Sequence, residues 1–309
     1  MRRTVAAFVV VLAASATEPV SGAVLCVRRS GTIKVREACR PSETQADPVA
    51  LGLQGPPGPP GPPGDLNGPC PPDAVRVGTA CVDKYEGSLW SIPAANTALI
   101  DQVRRGEATL ADLNAGGATQ LNRAAFLGCS APNLPATFPE NGNWTDPIFA
   151  VSVAGVLPSG CLTWFQAVQA CALSGKRLLT NEEWQRAAAG TPDPGAAAEG
   201  SPCTIFSDSS ETGSKPACVS SWGTYDMAGN VYEWVSDWAD RASNCTNWPP
   251  EYGDDIVCWG GGTSGGLPGA VARGGYFGLT GGSNAGIFAI FGVNTPAFGV
   301  EGIGFRCGR

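Results

Sequence analysis

The stretch Thr163-Trp164-Phe-Gln-Ala-Val-Gln-Ala-Cys171-Ala-Leu-Ser-Gly175-Lys-Arg-Leu-Leu-Thr180-Asn-Glu-Glu183-Trp184 carries two helix signals in succession. Residues 163–174 place Trp164, Phe165, Val168, Cys171 and Ala172 at helical spacing. Gly175 follows, where a left-handed residue would close the helix. Thr180-Asn-Glu-Glu183 has the form of a capping box, in which the Thr hydroxyl and the Glu carboxylate satisfy each other's backbone N–H groups. It opens a second helix with Trp184, Ala187 and Ala188 facing inward and Gly190 behind it.

Outward from these helices, residues 69–309 have globular composition. They are rich in Gly, Asn and Asp, with Trp spread from Trp90 to Trp259. Such a chain builds short strands and long structured loops rather than a repeated βαβ pattern. Upstream, Gln54-Gly-Pro-Pro-Gly-Pro-Pro-Gly-Pro-Pro-Gly64-Asp65 puts Gly at every third position, the spacing a collagen triple helix requires. Four triplets are few to hold three chains together. A stiff polyproline-II spacer over 54–68 is therefore the preferred reading, with a homotrimer through this stalk as the alternative.

Before the stalk, residues 24–50 alternate apolar and polar positions around Ser30-Gly31, as a small disulfide-clipped hairpin would. Its cations Arg28, Arg29, Lys34, Arg36 and Arg40 read as a solvated face. Residues 1–23 have the form of a secretory signal: Arg2 and Arg3, then the apolar run 5–14, then Ser21-Gly22-Ala23 as a small-residue cleavage site. The apolar run is half the ~20 residues a membrane span needs, so no span is expected once the signal is removed. Export places the chain in a secreted or extracytoplasmic compartment.

The 309 residues include 42 Gly, 26 Pro, twelve Cys and no His, and the net charge is −7. Without His there is no Ser-His-Asp or Cys-His machinery and no His-bearing zinc or iron centre. The acidic balance argues against nucleic acid as a partner. In an oxidising compartment an even Cys count implies a disulfide framework, and no Cys-x-x-Cys is present to suggest zinc or redox chemistry. Spacing suggests four local clips, Cys26/Cys39, Cys70/Cys81, Cys203/Cys218 and Cys245/Cys258; the count alone does not give the rest. Asn143-Trp-Thr145 and Asn244-Cys-Thr246 are glycosylation sequons in a host that glycosylates.

The segment 164–184 resembles a signature of the formylglycine-generating enzymes, the sulfatase-modifying factor superfamily. Three further blocks agree with that family in order: Tyr225-Asp-Met-Ala-Gly229-Asn230-Val-Tyr-Glu233-Trp234-Val-Ser-Asp237-Trp238, then Arg273-Gly274-Gly275, then Asn294-Thr295-Pro296 with Gly304-Phe305-Arg306-Cys307. The resemblance covers roughly residues 75–309. It implies a single α+β domain of the C-type-lectin-like kind, with few regular elements and many disulfides. It also implies a long disulfide, Cys171 to Cys307, which leaves Cys129 and Cys161 as a sixth pair. From the second block it implies a calcium ion held by the side chains of Asp226 and Glu233 and the carbonyls of Gly229 and Val231, a hard-oxygen set that suits Ca²⁺. The family's other calcium site has no acidic counterpart near Cys203-Thr-Ile-Phe206.

The resemblance fails where the family does its chemistry. Its enzymes oxidise a substrate Cys with O₂ on copper(I) held by two Cys a few residues after the Arg-x-x-Gly-Gly stretch. Here residues 273–288 contain none, nor does any position between Cys258 and Cys307. Soft copper(I) selects thiolates, so copper is not expected. A second branch of the superfamily, the ergothioneine-type iron enzymes, needs His and is excluded by its absence. The favoured function is a secreted, calcium-supported, disulfide-braced scaffold without formylglycine-generating activity, binding a protein or glycan through its loops. The Gly-rich loop 259–266 and the aromatics Tyr276 and Phe277 are candidates for that binding, though core packing serves Tyr276 and Phe277 equally well. The alternative is an oxidoreductase of the family type with a different metal arrangement, for instance one freeing Cys245 and Cys258. A carboxylate pair drawn from Asp226, Glu233 and Asp237 is a weaker option, since those residues are better used in calcium binding and loop capping.

Overall fold

The structure is a computed structural model of the 309-residue chain. It describes residues 24–28, 30, 33–36, 38–46, 68–123, 129, 134–193, 200–205, 208–260, 267–278 and 285–309. The expected signal segment, the Gly-Pro-Pro run up to residue 67, most of the Gly-rich loop 259–266 and residues 279–284 lie outside the described residues. The chain forms two compact units, Met1–Pro63 and Gly64–Arg309.

In the first unit, β1 (Val24–Arg28) pairs antiparallel with β2 (Ile33–Arg36), as the alternating pattern requires, and Cys26–Cys39 closes the pair. The sequence pattern does not indicate the third strand, β3 (Glu43–Gln45), on the other side of β1. Glu43 on that strand receives Arg28 at 3.1 Å and Arg36 at 2.9 Å, so part of the cationic face is neutralised.

The second unit is mixed α and β, with four short α-helices among the described residues. A four-stranded sheet runs β4 (Ala74–Val77), β5 (Ala80–Asp83), β16 (Cys307–Gly308), β9 (Arg177–Leu178). A three-stranded sheet runs β7 (Thr119–Leu121), β6 (Ser88–Ser91), β8 (Ile148–Val151). The largest runs β11 (Thr246–Asn247), β12 (Ile256–Cys258), β14 (Ile290–Phe291), β13 (Gly269–Arg273), β10 (Tyr232–Ala239), β15 (Ile303–Phe305). β10 is antiparallel to β13 and parallel to β15, which buries it on both edges and makes it the axis of the domain. Its side chains Tyr232 and Trp234 enter one core cluster with Leu89, Phe138, Leu162 and Phe305. On the other side Val235 packs with Trp184, Leu179 and Val271.

The helices α1 (Thr97–Arg105), α2 (Leu110–Ala115), α3 (Trp164–Leu173) and α4 (Asn181–Ala188) surround these sheets. The two signals in the opening stretch become α3 and α4. In each, a reciprocal capping box forms, Thr163 with Gln166 and Thr180 with Glu183. Gly175 takes the left-handed conformation after α3, at φ 68°. The buried face of α4 is Trp184, Ala187 and Ala188, as the spacing suggests. The face expected to be buried on α3 differs. The helix buries Gln166, Ala167, Ala170 and Cys171, leaves Trp164, Phe165 and Val168 half-buried, and exposes Ala172. Small side chains let the helix lie close on β8. Gln166 is tolerated inside because its amide also donates to the Phe138 carbonyl at 3.0 Å.

Twelve cysteines form six disulfides: Cys26–Cys39, Cys70–Cys81, Cys129–Cys161, Cys171–Cys307, Cys203–Cys218 and Cys245–Cys258. None is left as a thiol. No described helix is long and apolar enough to cross a membrane.

Candidate functional site

The loop leading into β10 turns sharply at two non-glycine residues with positive φ, Asp226 at 60° and Asn230 at 56°. Such conformations persist only where the surroundings impose them. Here the polar side chains are drawn inward: Asp226, Asn230 and Glu233 are all buried, and Glu86 from the β5–β6 connection joins them. The Asn230 side chain is held at both ends. Its carbonyl accepts the Ser210 N–H at 2.9 Å, and its amide donates to Glu86 Oε2 and to the Ser210 carbonyl. Glu86 Oε1 accepts the Val231 N–H at 3.1 Å. Asp226 Oδ2 accepts the Gly213 N–H at 2.8 Å.

Glu233 is spent on a different partner. Arg306, wholly buried between β15 and β16, donates from Nε to both Glu233 oxygens at 3.1 and 3.0 Å and from Nη2 to Oε1 at 2.6 Å. Trp184 Nε1 adds a bond to Oε2 at 2.7 Å. The rest of the guanidinium goes to the carbonyls of Asp83 and Tyr225. A carboxylate has about four acceptor positions, and those of Glu233 are filled. Of the four ligands expected for calcium, Asp226, Gly229, Val231 and Glu233, the last is therefore already saturated. Asp226 and Glu86 are the acidic side chains with acceptor capacity left.

Three buried carboxylates face one buried guanidinium, so the cluster is short of positive charge. Burial pushes the Glu86 carboxyl well above its ordinary value, and the Asp226 and Glu233 charges push it further. Burial likewise raises Asp226 to about 6, against the Gly213 N–H that favours the ionised form. Burial alone would lower Arg306, but Glu233 outweighs it and the guanidinium is held firmly charged. A surplus of buried acid beside a strained, oxygen-rich turn fits a hard cation in charge and donor type, with Glu86 rather than Glu233 as the second acidic side chain. Glu86 carries no sequence signal, because nothing in Asp83-Lys-Tyr-Glu86 distinguishes a buried carboxylate from a solvated one.

In the Arg273-Gly274-Gly275 block the Arg side chain is built into the core. Arg273 stacks over Trp184 at 4.5 Å and donates to the carbonyls of Ala289 and Ile287 and to the side chains of Asn181 and Gln185. Its pKa is lowered to about 9 by burial, with Asp255 opposing the shift. Phe277 is buried and Tyr276 packs on Tyr232 and against Gly302, so core packing is their role. Asp237 accepts the Asn181 N–H at the start of α4 at 2.7 Å. Among the described residues, the one His/Cys/Asp/Glu group of three with ligand atoms within 4.8 Å of one another is Cys129, Cys161 and Glu301, and its two sulfurs are bonded to each other. One aromatic group reaches the surface elsewhere. Trp164, Phe165 and Trp238 meet edge-to-face, Trp164 to Trp238 at 4.9 Å, with Trp238 45% exposed and Trp164 anchored through Nε1 to the Val235 carbonyl. Beside them is an apolar cleft of about 330 Å³ lined by Val168, Ala172 and Leu178.

A disulfide-braced α+β domain built on a Gly-Asn-Val-Tyr-Glu-Trp strand whose carboxylate is locked by the Gly-Phe-Arg-Cys arginine defines a class. Residues 140–309 match the model of the sulfatase-modifying factor enzyme 1-like domain, and the chain belongs to that family. It is 31% identical over 128 residues to a formylglycine-generating enzyme of Thermomonospora curvata, an alignment covering 32% of this chain and 42% of that protein. It is 39% identical over 83 residues to the serine/threonine-protein kinase Pkn1 of Chlamydia trachomatis, covering 25% of this chain and spanning 13% of the kinase's length. Among solved structures, a Major Tropism Determinant variant aligns over 93% of this chain and 71% of its own at 16% identity, with a TM-score of 0.40. CarF aligns over 74% and 86% at 18% identity, with a TM-score of 0.37.

Proposed function

We propose that this chain is a non-catalytic member of its family: a secreted, C-type-lectin-like scaffold that binds a protein or glycan partner. The observation that carries this reading is the fate of the thiols. All twelve cysteines are consumed in disulfides, and the segment 259–306 contains none. Copper(I) needs thiolates, and a disulfide sulfur is a poor substitute. The same six disulfides suit an oxidising compartment, in keeping with the leader-like residues 1–23. In the same reading the Gly-Pro-Pro run over 54–68 is a spacer between the hairpin and the domain that follows. The edge-to-face group Trp164, Phe165 and Trp238 is the surface we assign to the partner, because half-buried Trp164 and Phe165 support an exposed Trp238.

Calcium belongs to this reading as a structural support. Asp226 and Glu86, with the carbonyls of Gly229 and Val231, would hold it, and the ion would supply the positive charge the buried cluster lacks.

A thiol and metal census on protein secreted by an oxidising host tests the function. Unfolded in guanidinium without reductant, the chain should titrate no free thiol. Incubated with copper(I), O₂ and a Cys-containing peptide, it should bind no stoichiometric copper and form no aldehyde. Two free thiols together with bound copper would overturn the scaffold reading in favour of the oxidoreductase.

A further inference from the structure

The three strands of the first unit sort their side chains by charge. Across an antiparallel ladder, paired residues share a face, and successive residues along a strand alternate between faces. Cys26 stands opposite Lys34 and Gln45, and Arg28 opposite Glu43, so one face of the sheet carries Cys26, Arg28, Lys34, Arg36, Glu43 and Gln45. That face is closed within the chain: Cys26 is buried and bonded to Cys39, and Glu43 receives Arg28 and Arg36. The register gives the opposite face to positions 25, 27, 33, 35 and 44. The first four of these are Leu, Val, Ile and Val, and the fifth is Thr.

A sheet this small needs a second layer on its apolar face to be stable. Among the described residues, β1, β2 and β3 are the only regular elements of this unit, so the chain itself supplies no such layer. Val35 is 68% exposed, Thr44 is exposed and Val27 is half-buried. The sequence that follows the sheet says what covers them. Gly55, Gly58, Gly61 and Gly64 are separated by Pro-Pro, and Gly at every third position is required where three chains meet on a common axis. Two further copies of the chain are therefore the occupant that the triplets select. Charge agrees with this, because the cations lie on the opposite face and packing the apolar faces together buries none of them.

We propose that the apolar face of this sheet is a self-association surface, on which three copies of the chain pack Val27 and Val35 against one another with their cationic faces outward. Four Gly-Pro-Pro triplets are few to hold three chains, and one small apolar face per copy is little to hold three sheets. Joined in a single chain, each contact raises the effective concentration for the other, so the two act together where neither suffices. The run over 54–68 remains a spacer in the assembly. The proposal goes beyond the scaffold reading and depends neither on the fate of the thiols nor on calcium.

Sedimentation equilibrium on the full, disulfide-intact chain as secreted tests the proposal. At micromolar concentration it should give three times the mass of one chain. Val35→Lys puts an unpaired cation on the apolar face of every copy, and half-dissociation should move to a concentration about 100-fold higher or more. Val35 is exposed in the single chain, so the variant should keep its sheet and its Cys26–Cys39 bond, checked by the absence of free thiols. Should it not be secreted, Thr44→Lys reads the same face. Gln45→Lys, on the opposite face, should leave the mass at three chains. A wild type that sediments as one chain or as two overturns the proposal. So does a trimer that Val35→Lys and Thr44→Lys leave as tight as before, because the triplets then hold the chains without the face.

Discussion

Glu233 and Arg306 meet in the middle of the domain, and their energetics follow from burial rather than from pairing as such. Two ions taken out of water repay their desolvation only if each hydrogen-bonding position is filled, as here by Trp184 and two carbonyls. Arg306→Met would leave Glu233 uncompensated beside Glu86 and Asp226. Urea unfolding should register a loss of about 3–5 kcal/mol, with the double variant Arg306→Met/Glu233→Leu recovering part of it. A surface pair makes the contrast. Glu183 caps α4 and takes Arg177 at 2.6 Å, and the Arg177 bond, ahead of the Thr180 contacts, holds its carboxyl below the ordinary range despite partial burial. A depressed carboxylate contributes stability above its unfolded pKa and loses it as pH falls through the folded one. Glu183→Gln should therefore cost about 0.5–1 kcal/mol at pH 7 and converge on the wild type as acid protonates the folded-state carboxyl, read by denaturation across pH.

At the scale of elements, α3 and α4 were legible from local signals: apolar spacing closed by Gly175 in α3, and in α4 a capping box, whose Thr and Glu three positions apart interact before any tertiary contact exists. Thr163→Ala removes one such cap and should lower stability by about 1 kcal/mol, measurable as a fall in Tm. Helix α2 has the same device in Thr109 and Asp112, and α1 an Asn96 cap and a left-handed Gly106, yet neither stands out in the sequence among the surrounding turn residues. The buried face of α3 was not legible either. Periodicity favours the large apolar side chains, while close packing on β8 selects Ala167 and Ala170 and leaves Trp164 and Phe165 to join Trp238 at the surface.

For the whole molecule, the covalent frame matters as much as the core. Cys171–Cys307 ties α3 to β16 across 136 residues, and by the chain-entropy model closing so long a loop contributes about 5 kcal/mol. Cys171→Ala/Cys307→Ala should accordingly lose about 2–5 kcal/mol in chemical unfolding, more than deletion of the short Cys70–Cys81 clip. By itself the sequence determined the family, the absence of His and of the copper thiols, and the two capped helices. These depend on residue identity or on contacts a few positions apart. Only the tertiary structure decided the sites. Arg306 reaches Glu233 across 73 residues, and Asn230 reaches Glu86 across 144. Whether a carboxylate is solvated, paired or left without a partner is set by which distant groups the packed chain places beside it, and no local pattern encodes that placement.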